Sequence, residues 1–130
     1  MPDDPFGCEH CFKADAESMA RAKPKFNFIA RLVDESHFIV SILACPACSQ
    51  RCLSIFTETI DWTGGDDSQL VRVLPITPQE SGSLQKSGDD LIPQIESLGR
   101  DRPYLLDNHP TGGPRQVRWI KGALWIGPHD

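Results

Sequence analysis

The stretch that decides the fold is residues 37–62, which reads HFIVSILACPACSQRCLSIFTETIDW. Residues 37–44 are apolar on both faces of a strand, and residues 52–62 are rich in Ile, Phe and Thr, which favour strands. Between them, Cys45-Pro46-Ala47-Cys48 is a tight turn with a cysteine at each end. The stretch therefore predicts two antiparallel strands, the first of them central in a sheet, with a pair of thiols at their connection.

Two further strands and a helix are predicted around this pair. Residues 26–32 alternate between apolar and polar side chains, with Phe26, Phe28, Ala30 and Leu32 on the apolar face, as in a strand of period two. Residues 70–74, which read LVRVL, predict a fourth strand after a Gly-Gly loop. Residues 14–22 suit a short helix that Pro24 stops. Four strands joined in chain order predict an antiparallel meander.

The pattern changes to helices after residue 76. Thr77-Pro78-Gln79-Glu80 has the residues of a capping box, which predicts a helix running to about Lys86. Residues 91–98 predict a second helix, with Leu91, Ile92, Ile95 and Leu98 on one face.

The last part of the chain is predicted to be a hairpin. Residues 116–120 and 123–126 are strand-like and are expected to pair across Lys121-Gly122. The complete prediction is an α+β fold, an antiparallel β-meander with two short helices and a C-terminal β-hairpin. We expect one domain over 1–130, with the sheet in 6–76 and the helical and hairpin extension in 77–130.

Composition excludes several classes of protein. The chain has 130 residues, with 18 acidic against 13 basic side chains and a formal charge of −5. Its longest apolar run, 38–45, is too short to span a membrane. The pI near 5.3 argues against a generic nucleic-acid binder, which needs clustered Lys and Arg. The N-terminus has no secretory pattern, so we expect a cytoplasmic protein with reduced thiols.

Two cysteine pairs carry the clearest chemistry in the sequence. Cys8-Glu9-His10-Cys11 and Cys45-Pro46-Ala47-Cys48 are separated by 33 residues. A Cys-x-x-Cys turn can direct both sulfurs at one cation, and two such turns supply four thiolates for a tetrahedral structural site. The four cysteines predict a Zn²⁺ site, with iron not excluded.

Through these pairs the chain resembles the zinc-ribbon (rubredoxin-like) class, whose pattern is Cys-x-x-Cys, a β-ribbon and a second Cys-x-x-Cys. The resemblance covers roughly residues 6–62. It implies Cys8, Cys11, Cys45 and Cys48 as metal ligands and a structural metal. One departure is Ser49, which follows the second pair where zinc knuckles often have Gly. A left-handed backbone conformation at this position is less favourable for serine than for glycine. The class does not define a function, because zinc ribbons occur in many kinds of protein.

Two other residues are candidate substitutes in the ligand set. His10 lies inside the first pair and would give a site of three sulfurs and one nitrogen. Cys52, the fifth cysteine, is expected on the outgoing strand, where packing in the core is the favoured interpretation. A thioredoxin-like redox role is disfavoured, because a strand and not a helix follows the second pair.

Acidic residues gather at the end of the third predicted strand. Glu58, Asp61, Asp66 and Asp67 surround Gly64-Gly65, and residues 61–101 carry eight acids and three bases. These four are the candidate partner-binding residues, as an acidic face for a protein with a basic surface. A second divalent-cation site and a plain solvated loop are the other interpretations.

The sequence thus favours a small zinc-binding protein that acts as an adaptor or inhibitor, of which immunity proteins are one class. No catalytic residue is assigned, because a four-thiolate shell leaves no open metal position. One alternative is a nucleic-acid-associated zinc ribbon, which would use Trp119 with Arg115, Arg118 and Lys121. The other alternative is a metal-dependent enzyme that uses the Glu58/Asp61/Asp66/Asp67 cluster.

Overall fold

The computed structural model describes residues 6–60, 62–65, 67–100, 102–122, 124 and 126. Six strands form an antiparallel sheet in which each strand pairs with the next in the chain. The strands are β1 (Asn27–Glu35), β2 (Phe38–Ala44), β3 (Arg51–Thr59), β4 (Ser68–Ile76), β5 (Pro103–His109) and β6 (Gln116–Lys121). The α-helices are α1 (Ala16–Ala22), α2 (Pro78–Gln85) and α3 (Leu91–Leu98), and short 3₁₀ helices lie at Lys23–Lys25 and Gly88–Asp90. The predicted α+β class and antiparallel meander are confirmed.

The sheet ends in a C-terminal antiparallel strand pair, but the predicted pairing of 116–120 with 123–126 is wrong. β6 lies where a strand was predicted, but its partner is β5, which the sequence analysis missed. Of the proposed second strand, Leu124 and Ile126 have no strand conformation, and Ala123 and Trp125 lie outside the described residues. Because β5 also pairs with β4, the sheet continues past residue 76 and the two late helices connect neighbouring strands.

Two described residues after β6, Leu124 and Ile126, contact α3 and its C-terminal end. The Leu124 amide donates to the carbonyl of Gly99 at 3.3 Å, and the Ile126 amide donates to the Glu96 carboxylate at 2.9 Å. Both apolar side chains are buried in the core. Leu124 and Ile126 therefore lie outside the sheet, because α3 and the glycine that follows it, and not a strand edge, take their amides.

The sheet has an apolar core on each face. The first core joins β2, β3 and β4 to α2 and α3, and includes Val40, Ile42, Leu53, Ile55, Leu74, Leu84 and Ile95. The second core joins the sheet to α1 and both cysteine turns, and includes Cys11, Phe12, Met19, Phe26, Cys45, Cys52, Val73 and Leu105. Side chains alternate between faces along a strand, so Cys52 and Leu53 enter different cores. The two Cys-x-x-Cys turns thus lie at the edge of the second core.

Strand β1 departs from the predicted alternation. Phe28, predicted to face inward, is 57% exposed, although Phe26, just before the strand, is buried. The register with β2 shifts between Phe28 and Ala30 and again between Arg31 and Val33. Such irregularities are typical of edge strands, where they interrupt pairing and turn side chains to the other face.

The predicted helix signals are largely confirmed. Thr77 and Glu80 form the capping box, with the Glu80 amide donating to Thr77 Oγ1 at 3.1 Å and the Thr77 amide donating to Glu80 Oε1 at 2.9 Å. On α3, Leu91 and Ile95 are buried as expected, but Ile92 is 36% exposed. None of the helices in the described residues is long and apolar enough to cross a membrane.

The capping glutamate also holds an ion pair with Arg102, which lies just before β5. Arg102 Nη1 and Nη2 donate to the two carboxylate oxygens of Glu80 at 2.8 and 2.9 Å. Hydrogen bonds from Arg102 hold the pKa of the Glu80 carboxyl below its usual value, against the opposing effect of burial. The stability that this shift contributes is complete above the unfolded pKa near 4.5 and is lost as the pH falls through the folded pKa.

Glu80→Gln is expected to destabilise the protein by about 1–2 kcal/mol at neutral pH, because a charged hydrogen-bonded pair is lost while the amide oxygen can still cap the helix. The difference in the free energy of unfolding between wild type and variant is expected to shrink as the pH falls from about 6 to about 3. Denaturant titrations at several pH values measure it. A difference that stays constant with pH would contradict the prediction.

Candidate metal centre

Four cysteines from two distant segments meet at one point. The Sγ atoms of Cys8, Cys11, Cys45 and Cys48, the four-cysteine cluster, all lie within 4.8 Å of one another. Three of the separations are 3.7 Å between Cys11 and Cys48, 3.8 Å between Cys8 and Cys11, and 4.0 Å between Cys8 and Cys45. These are the four residues that the sequence predicts as ligands.

The sulfur separations suit a tetrahedral cation. Four thiolates at about 2.3 Å from a metal have sulfur atoms about 3.8 Å apart at the corners of a regular tetrahedron. The three distances of 3.7 to 4.0 Å bracket this value, and all six separations are at most 4.8 Å. A disulfide needs its two sulfurs at about 2.05 Å, so all four side chains are reduced thiols in this arrangement.

The first cysteine turn depends on a glycine. Gly7 has a φ of +77°, which places Cys8 at the start of a turn in which Cys11 and Lys13 both donate their amides to the Cys8 carbonyl at 3.0 Å. A Cβ at residue 7 would lie 2.7 Å from Cys11 Sγ and 2.8 Å from the Phe12 Cβ. Only glycine fits both the backbone conformation and the close approach of the sulfur.

The second cysteine turn closes between β2 and β3. Cys45 donates its amide to the carbonyl of Gln50 at 3.0 Å, and Ser49 donates its amide to the carbonyl of Cys45 at 2.9 Å. Ser49 has a φ of +67°, the one left-handed non-glycine residue in the described part of the chain. The expectation that the position after Cys48 is left-handed is confirmed.

Ser49→Gly is expected to raise the free energy of unfolding by about 1 kcal/mol. Glycine adopts the left-handed conformation without the clash between Cβ and carbonyl oxygen, although its greater freedom in the unfolded chain offsets part of the gain. Chemical denaturation of the two proteins, both with excess metal, measures the difference. Unchanged or lower stability in the variant would contradict the expected relief of strain.

Amide groups surround the sulfurs. His10 donates its amide to Cys8 Sγ at 3.4 Å, and Cys8 donates its amide to Cys11 Sγ at 3.2 Å. In the second turn, the nearby backbone amides of Ala47 and Cys48 act to lower the pKa of Cys45, and that of Gln50 acts to lower the pKa of Cys48. Such hydrogen bonds stabilise thiolates over thiols and orient metal ligands.

Burial and these hydrogen bonds shift the thiol pKa values in opposite directions. Burial raises the pKa of Cys11 well above its ordinary value, against amides that lower it. Desolvation also raises the pKa of Cys48. At Cys45, desolvation opposes ionisation, but the amides of Cys48 and Ala47 and the neighbouring thiols outweigh it and lower the pKa. A metal that binds here must displace the protons that remain on the sulfurs.

Gln50 and Gly7, which were not predicted as site residues, hold the two cysteine turns together. Gln50 accepts the Gly7 amide on Oε1 at 2.9 Å, and its Nε2 donates to the carbonyls of Arg51 and Ile76 at 2.8 Å. Because these bonds connect the two turns, Gln50 and Gly7 are positioning residues. The residue before Gly7, Phe6, contacts Arg102, whose guanidinium carbon lies 5.1 Å from the centre of the Phe6 ring. The signal for Gly7 was a glycine directly before a cysteine pair, but nothing local marks a bridging side chain such as Gln50.

The two candidate substitutes lie outside the four-cysteine cluster. His10 is exposed, although its amide contacts Cys8 Sγ. Cys52 is fully buried in the second core, and burial raises its pKa to about 12. This position agrees with the interpretation of Cys52 as a packing residue.

The acidic cluster is only partly described. Glu58 accepts a hydrogen bond from Gln69 Nε2 at 2.9 Å on one oxygen, and the other lies 3.0 Å from His37 Nδ1. These bonds, the one from Gln69 first, lower the pKa of Glu58. Asp67 is half-buried, and Asp61 and Asp66 lie outside the described residues. The partner-binding role of these four residues stays a prediction.

The residues of the nucleic-acid alternative have intramolecular contacts. Trp119 donates its indole N–H to the Ala14 carbonyl at 3.0 Å, and its ring lies 5.8 Å from that of Phe12. Arg115 donates through Nε and Nη2 to the Asp107 carboxylate at 2.9 and 2.8 Å. The aromatic ring and one of the three cations are therefore engaged within the protein.

No protein-family model, curated protein or solved structure matches this chain. The likeness to zinc ribbons accordingly rests on the cysteines and their geometry. The fold differs in extent from a simple ribbon, because the sheet has six strands and is covered on both faces.

Proposed function

We infer that this chain is a small zinc-binding protein of the zinc-ribbon class, in which the four-cysteine cluster holds one structural Zn²⁺. The observation that carries this proposal is the approach of four thiol sulfurs to tetrahedral spacing from turns 33 residues apart. Amides directed at the sulfurs support it, because they stabilise the charged form that binds metal.

The metal's role is structural. Four thiolates complete the coordination of Zn²⁺ and leave no position for water or substrate. The metal joins the segment before α1 to the β2–β3 connection, and Cys11 and Cys45 contribute directly to the second core. In a chain of this size, metal binding supplies a large part of the folding free energy. A cytoplasmic protein would keep these thiols reduced and available to metal.

Metal content is the direct test. Native mass spectrometry of the purified protein is expected to find one zinc per chain, and Cys45→Ser or Cys8→Ser is expected to lose it. Cys52→Ser is the matched control, because it removes a buried thiol outside the four-cysteine cluster. Metal analysis after expression with both metals separates zinc from iron. A folded wild-type chain that binds no metal would refute the proposal.

We further propose that the protein acts by binding a basic protein partner, as an adaptor or inhibitor. A groove of about 280 Å³ lies between the β1–β2 turn and the start of α3. Glu35 and Asp89 line it beside the half-exposed Ile92, and Asp90 is exposed next to Asp89. Acidic side chains around an apolar floor suit a partner segment that carries Lys or Arg beside an apolar side chain.

Paired charge removal tests this surface. Affinity capture with the wild-type protein is expected to retain a basic protein, more weakly at high salt, and Asp89→Asn/Asp90→Asn is expected to lose it. Glu9→Gln/Glu17→Gln is the control, because it removes two exposed acids elsewhere. Equal capture by both variants would refute this face.

Nucleic-acid binding is less well supported than a protein partner. Trp119 and Arg115 form hydrogen bonds within the protein, and stacking on bases needs an accessible ring. A metal-dependent enzyme is likewise less well supported, because both oxygens of Glu58 have partners within the sheet.

A further inference from the structure

The four sulfurs of the metal centre differ sharply in exposure. Cys11 and Cys45 are 0% and 1% exposed, Cys8 is intermediate, and Cys48 is exposed. A structural site that is fully enclosed protects all its thiolates from reagents in solution. Here one ligand is presented to solvent while two are shielded, so the reactivity of the four sulfurs must be unequal.

A groove leads to the exposed ligand. It has a volume of about 400 Å³ and is lined by Cys48 and Ser49 together with Phe6, Arg51 and Ile76. This space admits a small oxidant such as hydrogen peroxide to the Cys48 sulfur. Cys45 lines a second groove of about 240 Å³ with other neighbours, among them Phe26 and Pro46, but its side chain is nearly inaccessible.

A sulfur of the other turn lies close to Cys48. Cys11 Sγ lies 3.7 Å away, close enough for the two side chains to approach each other without a rearrangement of the turns. Closing this pair would require an approach to about 2.05 Å and would join residues 37 positions apart in the chain. The covalent bond would thus link the same two turns that the metal links.

We propose that Cys48 is the oxidation site of the metal centre and that peroxide converts Cys48 and Cys11 into a disulfide with release of the metal. This inference rests on the proposed zinc site. The Cys48 thiolate attacks peroxide, the O–O bond breaks, and sulfenic acid and hydroxide form. The Cys11 thiolate then attacks the sulfenic sulfur, an S–S bond forms, and a second hydroxide leaves.

The electrons and ligands balance. Two sulfurs are oxidised by two electrons in total, peroxide is reduced to two hydroxides, and Zn²⁺ keeps its charge. The centre is left with two thiols, Cys8 and Cys45, which do not complete a four-ligand shell. Metal therefore leaves when the disulfide forms, while the two turns stay connected. Reduction by a dithiol and addition of Zn²⁺ restore the original site.

Labelling and oxidation of the zinc-loaded, full-length Cys52→Ala protein test the proposal. With substoichiometric iodoacetamide, peptide mapping is expected to find Cys48 labelled at least about ten times more than Cys11 or Cys45. With hydrogen peroxide, a chromophoric chelator is expected to detect one zinc released per disulfide, and non-reducing peptide mapping is expected to find Cys11 joined to Cys48. The oxidised chain is expected to melt at a higher temperature than the reduced chain after zinc removal, because a cross-link remains.

A ligand substitution provides an independent measurement. Cys48→His keeps four ligands by supplying an imidazole nitrogen, and peroxide is expected to release zinc from it about tenfold more slowly. Preferential labelling of another cysteine, a disulfide within one turn, or equal release from Cys48→His would overturn the proposal. If the starting protein holds no zinc, the proposed metal site itself fails, and that result is distinguishable from failure of the oxidation step. If Cys48→His fails to bind zinc while the Cys52→Ala protein binds it, the labelling and the disulfide mapping of the Cys52→Ala protein test the proposed oxidation site.

Discussion

Replacing Cys11 by Ser is expected to weaken zinc binding by at least about a thousandfold and to unfold the second core. Cys11 holds a central place in the four-cysteine cluster, since it is fully buried and lies within 3.8 Å of the sulfurs of Cys8 and Cys48. Serine leaves three thiolates and a buried hydroxyl, which is a poor zinc ligand at neutral pH. A thousandfold loss of affinity removes about 4 kcal/mol of stabilisation when metal is in excess.

The loss is expected to be local to one face of the sheet. The second core, which contains Cys11, Phe12, Met19 and Phe26, depends on the first cysteine turn, whereas the first core around Leu53 and Ile55 contains none of the cysteines. Hydrogen exchange is therefore expected to accelerate in residues 6–26 and 45–50 before it accelerates in β2 and β3. Competition with a chelator of known affinity measures the metal binding.

Cys52→Ser is a closely matched control for this experiment. Cys52 is also fully buried in the second core, so the substitution buries a hydroxyl in the same surroundings without removing a member of the four-cysteine cluster. We expect a loss of about 1–2 kcal/mol in stability and zinc affinity within about threefold of wild type. Equal loss of zinc in both variants would assign the effect to packing and contradict a ligand role for Cys11.

The elements with strong local signals were predictable. The capping box at Thr77 and Glu80 fixes the start of α2 because each side chain satisfies the backbone amide of the other residue, an interaction contained within four residues. The strands on either side of Cys45 and Cys48 were predictable for a similar reason, since a buried strand is apolar along its own length. That the two cysteine pairs lie close together was predicted from the ligands that a four-thiolate metal site needs, and not from the conformational preferences of the residues.

Strand β5 was missed because its stability is not local. It contains Asp107 and Asn108, residues that disfavour strands, and it begins with a proline. The Asp107 carboxylate finds its partner outside the strand, in a bidentate pair with Arg115 just before β6. The loop before residue 116 was recognised from its Gly and Pro residues, but the loop sequence alone does not identify which strand precedes it. The prediction therefore assigned β6 to the wrong partner.

The exposure of Phe28 has a related cause. Period-two alternation predicts which side chains share a face only while the strand stays in register with its neighbour. The two shifts in β1 break this condition, and an edge strand tolerates them because one side of its backbone is unpaired. In the same way, no local pattern predicts that Gln50 reaches both Gly7 and Ile76, since that contact requires both turns to be in place.

Gly7→Ala is expected to lower zinc affinity by about ten- to a hundredfold and to destabilise the metal-loaded protein by about 2–3 kcal/mol. Two effects combine. The left-handed φ of +77° costs an alanine about 1–2 kcal/mol. In addition, the new methyl group would lie 2.7 Å from Cys11 Sγ and 2.9 Å from the Phe12 amide nitrogen, so the sulfur must move from its tetrahedral position. Chelator competition and denaturant titration measure the two quantities.

Gly65→Ala separates the clash from the backbone strain. Gly65 has a φ of +72°, nearly that of Gly7, but no heavy atom lies within 4 Å of the position its Cβ would take. This variant is expected to lose about 1 kcal/mol of stability and none of its zinc affinity. Because the two variants share the same strain, the difference between their zinc affinities reports the displacement of Cys11 Sγ. If Gly7→Ala binds zinc as tightly as Gly65→Ala, the geometry of the first turn does not depend on the absence of a side chain at residue 7.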